Sequence, residues 1–168
     1  LVHGNIADLF NLIAETGIAS PEVTDSILLP VAKPGKPKGP AQNFRPIMIS
    51  TTLHKILAKC LLNRIRERIE AEIPKSQAAY RSGRSTGEQV LTIKLFCEKS
   101  MEAKDYKVNI MLLDMSKAFD TVNRDLLFEH LNNTIDPDEL HMIYIMISKA
   151  RFKIICGTTE GEVCETNI

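Results

Sequence analysis

Apolar residues recur along this chain at two spacings, and those spacings divide it into elements. Ile6, Leu9, Phe10, Leu12 and Ile13 fall at helical intervals over residues 5–15, and Gly17 stands where such a helix would end. Ser26–Ala32 and Phe44–Ile49 are short apolar runs that read as extended segments. Between them Lys33–Pro40 holds three prolines and two glycines and cannot be helical. The two runs predict a hairpin with Lys33 near its tip and Arg45 early on the return strand. Leu53, Ile56, Leu57, Cys60, Leu61, Ile65 and Ile69 form one stripe of a long helix, capped by Ser50 or Thr51 and stopped by Pro74. Ser85 and Glu88 have capping-box spacing and open a helix over about 86–103. Further helices are expected over about 123–132 and 137–149. A hairpin of 151–156 with 162–168 turns around Gly157–Gly161.

One apolar run ends differently. Val108–Leu113 reads as a buried strand that stops on a carboxylate, Asp114, with turn chemistry after it. A carboxylate fixed at a sheet edge suits a divalent cation, since Mg²⁺ takes hard oxygen ligands in strict geometry. It suits equally a residue that ends a core strand and caps a turn. The stretch alone leaves both readings open.

Composition narrows the classes. A chain of 168 residues, 44% hydrophobic and 25% charged, has the make-up of an ordinary globular domain or of part of a larger one. It starts on Leu1 and ends on Ile168 in what reads as mid-strand, so an excised segment is expected. No apolar run approaches the ~20 residues that span a membrane, and no secretory signal opens the chain. Cys60, Cys97, Cys156 and Cys164 are scattered without metal-site spacing, which predicts small core residues in a reducing, intracellular compartment. The formal net charge of zero conceals segregation. Residues 1–32 carry four acids and no Lys or Arg, residues 33–84 twelve bases against three acids, and the remainder nine bases against fourteen acids. A central block of net +9 is the footprint of phosphate binding, or else a solvated helix face. Tyr80, Arg81 and Arg84, in the polar connection before the 86–103 helix, offer one stacking surface and two cations to a nucleic-acid strand.

Asn43-Phe-Arg-Pro-Ile, the long helix after it, Gln77-Ala-Ala-Tyr-Arg-Ser-Gly-Arg-Ser-Thr86 and Leu113-Asp-Met-Ser-Lys-Ala-Phe-Asp-Thr-Val122 follow in one order. Together they resemble the reverse transcriptase domain of non-LTR (LINE-type) retrotransposons, over about Ser26 to Ile168. The resemblance implies an α+β, partial right-hand polymerase fold. It would be helix-rich, with a fingers hairpin, a central palm strand and a C-terminal hairpin. Residues 1–100 would be fingers and entry to the palm, and 101–168 an incomplete palm. It implies an RNA-directed DNA polymerase adding deoxynucleotides to a DNA primer on an RNA template. By resemblance Asp114 is the first catalytic, metal-binding carboxylate and the Met115 backbone carbonyl a further ligand, for two Mg²⁺ ions with Mn²⁺ as the alternative. Phe119 falls at the sugar-gate position, where an aromatic ring would clash with a ribose 2′-hydroxyl. Arg45 and Lys33 match the fingers cations that grip a nucleoside triphosphate. Arg81, Arg84 and Tyr80 match a segment near the template, and Asp120 is read as structural. The implied partners are RNA template, DNA primer, dNTP and the rest of the retrotransposon polyprotein, with no membrane. The implied location is the nucleus or a cytoplasmic RNA–protein particle.

The chain departs from the family at one point. The family's downstream x-Asp-Asp motif and Gln-Gly stretch do not occur, and no Asp-Asp pair exists in these 168 residues. Two-metal catalysis draws carboxylates from two segments, so this segment alone is expected to be inactive. Two alternatives follow: a catalytically dead RNA-binding remnant of such a polymerase, and an unrelated globular domain whose basic helix is solvated surface.

Overall fold

In the computed structural model, residues 2–102, 107–119, 121–148 and 150–165 are described. The chain packs as two units, Leu1–Arg66 with Arg124–Ile168, and Glu67–Asn123.

The first unit opens with α1 (Val2–Thr16), which ends at Gly17 in the left-handed region with φ 66°. The Gly17 N–H closes the last turn on Ile13 O at 2.9 Å. A side chain here would meet His141 Nε2 at 3.2 Å, so glycine serves both the backbone turn and a close approach. A short helical turn, α2 (Pro21–Thr24), leads into β1 (Asp25–Ala32). β2 (Phe44–Ser50) returns antiparallel, with Ser26 opposite Ser50 and Val31 opposite Arg45. α3 (Thr52–Glu72) follows, and its cap is Thr51, whose Oγ1 accepts from the His54 N–H at 3.2 Å. The unit resumes with α5 (Arg124–Asn132), α6 (Pro137–Ser148), β3 (Arg151–Cys156) and β4 (Thr159–Glu165). The last turn is tighter than expected. Only Gly157 and Thr158 separate Cys156 from Thr159, where β4 begins, and Gly157 takes φ 64°.

The four strands form one mixed sheet in the order β2-β1-β3-β4. The β1–β3 pair is parallel, from Asp25 opposite Arg151 to Leu28 opposite Ile154. Pro30 therefore sits beyond the β3 pairing, and Pro46 lies opposite it on the edge strand. Neither imide has a ladder bond to forfeit on its open side. Ile13, Val23, Leu57, Leu61, Met142 and Ile145 form the buried core, with Leu9, Phe10 and Leu53 packed against it. Burying each such side chain is worth about 1.5–3 kcal/mol. Of the seven-residue stripe on α3 only Leu57 and Leu61 are buried. Cys60 is exposed with Cys156 and Cys164, and Cys97 is half-buried, so the expectation of core cysteines is corrected. The core closes on a narrower band of the helix than the periodicity suggests.

The second unit contains the end of α3 and α4 (Thr86–Glu102). α4 starts as the spacing predicts, with the Glu88 N–H donating to Ser85 Oγ at 3.2 Å. The expected strand at 108–113 does not form. Residues 107–115 take no regular hydrogen-bonded structure, and Leu112 is 87% exposed. A strand exists through its ladder, and no described segment pairs with this one. The mixed α and β content of the partial polymerase fold stands; its central palm strand is the element corrected.

Candidate nucleotide and nucleic-acid site

The basic arm is built by the β1–β2 hairpin. The Lys33 N–H donates to Asn43 O at 2.8 Å, which places Lys33 at the base of the connecting loop rather than near its tip. Its ammonium is held there, with Nζ donating to Gln42 O at 2.7 Å. Asn43 ties the loop across by donating to Pro37 O at 2.9 Å. Arg45 pairs in the ladder with Val31, stands exposed, and forms no ion pair among the described residues. Its guanidinium is free to meet an anion, whereas Lys33 already donates one bond internally.

The connection between α3 and α4 uses its arginines differently. Arg81 is turned inward, with its side chain 11% exposed. Its Nε donates to Glu70 Oε1 at 2.6 Å and its Nη2 lies 2.5 Å from the same oxygen. Nη1 donates to Pro74 O at 2.9 Å and to Gln77 O at 3.4 Å. A planar fork of five donors suits this task, which Lys could not perform. The expectation of Arg81 at the template is thus met by a guanidinium already engaged with its own chain. Arg84 is paired with Glu88 one helical turn on, and Nη2 reaches Lys75 O at 3.5 Å, yet it keeps substantial exposure. Sequence shows Arg81 as charge alone; Glu70, eleven residues away, carries no mark as its partner.

Tyr80, just before Arg81, has φ 61° and is 90% exposed. Its ring meets that of Phe119 edge to face, with centroids 6.2 Å apart and planes at 77°. The turn that carries Phe119 also holds a non-glycine residue at positive φ, Lys117 at 51°. It is closed by Thr121, whose N–H donates to Lys117 O at 3.1 Å and whose hydroxyl donates to Lys117 O at 3.2 Å. Asp114 and Met115 precede this turn, both exposed. Asp120 lies outside the described residues.

Asp114 supplies the oxygen chemistry of a hard cation ligand and makes no ion pair among the described residues. No three His, Cys, Asp or Glu side chains gather around a common point among the described residues. The residues present therefore fit one ligand of a divalent-cation site, not a complete set.

A buried acid, Glu139, carries no mark of its burial in the sequence. Glu139 is 3% exposed and pairs with Arg64 Nε at 3.3 Å, while its Oε2 accepts from the Asp136 N–H at 3.3 Å. Asp136 and Glu139 have the spacing of a capping box, a mark that could have found the cap though not the burial. Glu139 stitches α6 to α3 and has no place in the site.

Comparison with known families matches residues 31–165 to the reverse transcriptase (RNA-dependent DNA polymerase) family, and the chain belongs to it. Members of this family use divalent metal ions. The chain is 25% identical over 151 residues, 89% of its length, to a probable RNA-directed DNA polymerase from transposon BS of Drosophila melanogaster. It is 27% identical over 162 residues, 95% of its length, to an RNA-directed DNA polymerase from mobile element jockey of Drosophila funebris. It is 31% identical over 98 residues, 57% of its length, to a probable RNA-directed DNA polymerase from transposon X-element of Drosophila melanogaster. The chain spans 17% of the length of the first two relatives and 11% of the third. No described helix is long and apolar enough to cross a membrane.

Proposed function

We propose that this chain is the fingers and first palm portion of the RNA-directed DNA polymerase of a LINE-type retrotransposon. Residues 1–100 serve as fingers and entry to the palm, and 101–168 belong to the palm. The observation that supports this reading is the family match over 31–165, a span that includes Arg45, Asp114 and Phe119. The substrates are an RNA template, a DNA primer and deoxynucleoside triphosphates, handled with the rest of the element's polyprotein. The setting is the nucleus or a cytoplasmic RNA–protein particle.

Each residue has a stated task. Asp114 and the backbone carbonyl of Met115 hold divalent cations, Mg²⁺ with Mn²⁺ as the alternative. A second segment of the polymerase supplies the remaining carboxylates. When bound, the cations supply the charge that activates the primer 3′-hydroxyl and steadies the departing pyrophosphate. Arg45 neutralises triphosphate oxygens from the hairpin, with Lys33 nearby on the loop. Phe119 presents its ring to the sugar and excludes a 2′-hydroxyl. Arg84 meets the template backbone from the connection before α4.

The test is primer extension by the full-length protein and by its Asp114→Asn variant. Loss of a metal ligand should lower turnover beyond the about 10–100-fold typical of losing an outer-shell partner. RNA affinity should be unchanged, because Asp114 is an exposed acid outside the basic block. Full activity in Asp114→Asn would refute the assignment.

A further inference from the structure

Phe119 is asked to reject a single hydroxyl oxygen, which demands that its ring be held to a fraction of an ångström. Its own surroundings do not do this. The ring is 77% exposed and follows residues 107–115, which form no helix or strand. Its aromatic neighbour is Tyr80, edge to face at 6.2 Å, an arrangement that pairs the positive ring edge with the negative ring face.

Tyr80 is itself held unusually. A β-unbranched aromatic at φ 61° adopts a backbone region that L residues avoid, and such outliers persist only where the surroundings impose them. The next residue, Arg81, is the anchored one. Arg81 fastens the backbone through Glu70 on α3, Pro74 O and Gln77 O. A chain of contacts therefore runs from α3 through Arg81 to the Tyr80 backbone, and from the Tyr80 ring to Phe119. A base-stacking tyrosine needs an open face but no fixed backbone and no ring partner within the protein.

We infer that Tyr80 is a positioning residue for the Phe119 ring, and through it a determinant of deoxyribose over ribose selection. This rests on the sugar-contacting role proposed for Phe119. The test is single-nucleotide extension by the full-length polymerase, comparing kcat/KM for deoxy- and ribonucleoside triphosphates. Tyr80→Phe keeps the ring and should keep the native ratio. Tyr80→Asn tolerates the left-handed backbone while removing the ring. It should lower the ratio about two- to tenfold, with RNA affinity unchanged. Phe119→Ala should move the ratio in the same direction, and the double variant should add little to it.

An unchanged ratio in Tyr80→Asn beside a lowered one in Phe119→Ala overturns the inference alone. Weakened RNA binding with an intact ratio also overturns it and assigns Tyr80 to base stacking. An unchanged ratio in Phe119→Ala refutes the sugar-contact reading and the inference with it. Absence of extension by the native protein refutes the polymerase reading. The ring pairing is then read in the 168-residue chain labelled with 3-fluorotyrosine, which has three tyrosines and assigns Tyr80 through Tyr80→Phe. A ¹⁹F resonance of Tyr80 that shifts in Phe119→Ala supports the pairing, and one that does not move overturns it.

Discussion

Replacing Arg81 by Met should destabilise the connection between α3 and α4 by about 2 kcal/mol. The side chain gives two charge-assisted contacts to Glu70 Oε1, at 2.6 and 2.5 Å, and a bond to Pro74 O at 2.9 Å. Hydrogen bonds to charged groups are worth about 1.5–3 kcal/mol, and breaking a buried pair costs about 3–5 kcal/mol. Fully exposed pairs contribute only about 0–1 kcal/mol. Arg81 lies near the buried limit at 11% exposure, but Glu70 is 42% exposed and regains water once its partner is gone. The intermediate figure of about 2 kcal/mol follows, or about a thirtyfold rise in local opening. Hydrogen exchange of the amides over 70–84 reads this directly. Arg81→Lys keeps the charge without the fork and should recover less than half of the loss. A cycle with Glu70→Gln should show coupling of about 1 kcal/mol. A loss below about 0.5 kcal/mol in Arg81→Met would refute the clamp. So would a fall of about one in the log–log salt slope of RNA binding by the same variant, because that is the mark of a phosphate contact.

Ile145→Ala empties the middle of the core, where Ile145 is 2% exposed, and should cost about 2–5 kcal/mol in urea unfolding. Ser85→Ala removes the oxygen that accepts the Glu88 N–H and should cost about 1 kcal/mol, read as faster exchange in the first turn of α4. The Glu22 carboxyl is held below its ordinary value first by its own backbone N–H and then by the Ser20 side chain, against a small opposing effect of burial. A depressed native value means that its stabilising contribution is present above the unfolded-state value and is lost as pH falls through the native one. NMR titration should show the low value, and Ser20→Ala should bring it closer to an ordinary glutamate.

Most of the helices and both hairpins were legible in the residues because their causes are local. Thr51, Gly17 and the Ser85–Glu88 pair act within one turn of the elements they bound, and short apolar runs on either side of a Pro/Gly-rich loop mark β1 and β2 as strands. What was not legible depends on residues far apart in sequence. No local pattern pairs Asp25 with Arg151, so the parallel centre of the sheet stayed hidden. Ile110–Leu113 have the composition of a buried strand, yet composition cannot supply a ladder, and this run stands exposed. At the site, Phe119 is marked by motif order alone, whereas Asp114 and Arg45 are marked also by their places at the end of an apolar run and on the expected hairpin. The inward turn of Arg81 was missed because a guanidinium bound to phosphate and one bound to Glu70 look the same in a sequence.

The parallel pairing of β1 with β3 also sets a timetable for synthesis. Asp25 leaves the ribosome 126 residues before Arg151, its partner in the ladder. At about 5–20 residues per second, the β1–β2 hairpin, complete once Ser50 has emerged, waits about 5–20 s for β3 to arrive. During that interval one edge of β1 is an open template for strands of any nascent chain nearby. Pro30 occupies the far half of that edge and offers no N–H to a foreign strand, which confines the exposed ladder to the residues that β3 later covers. The interval is longest for the part of the β1 edge that β3 finally covers, Asp25 to Leu28.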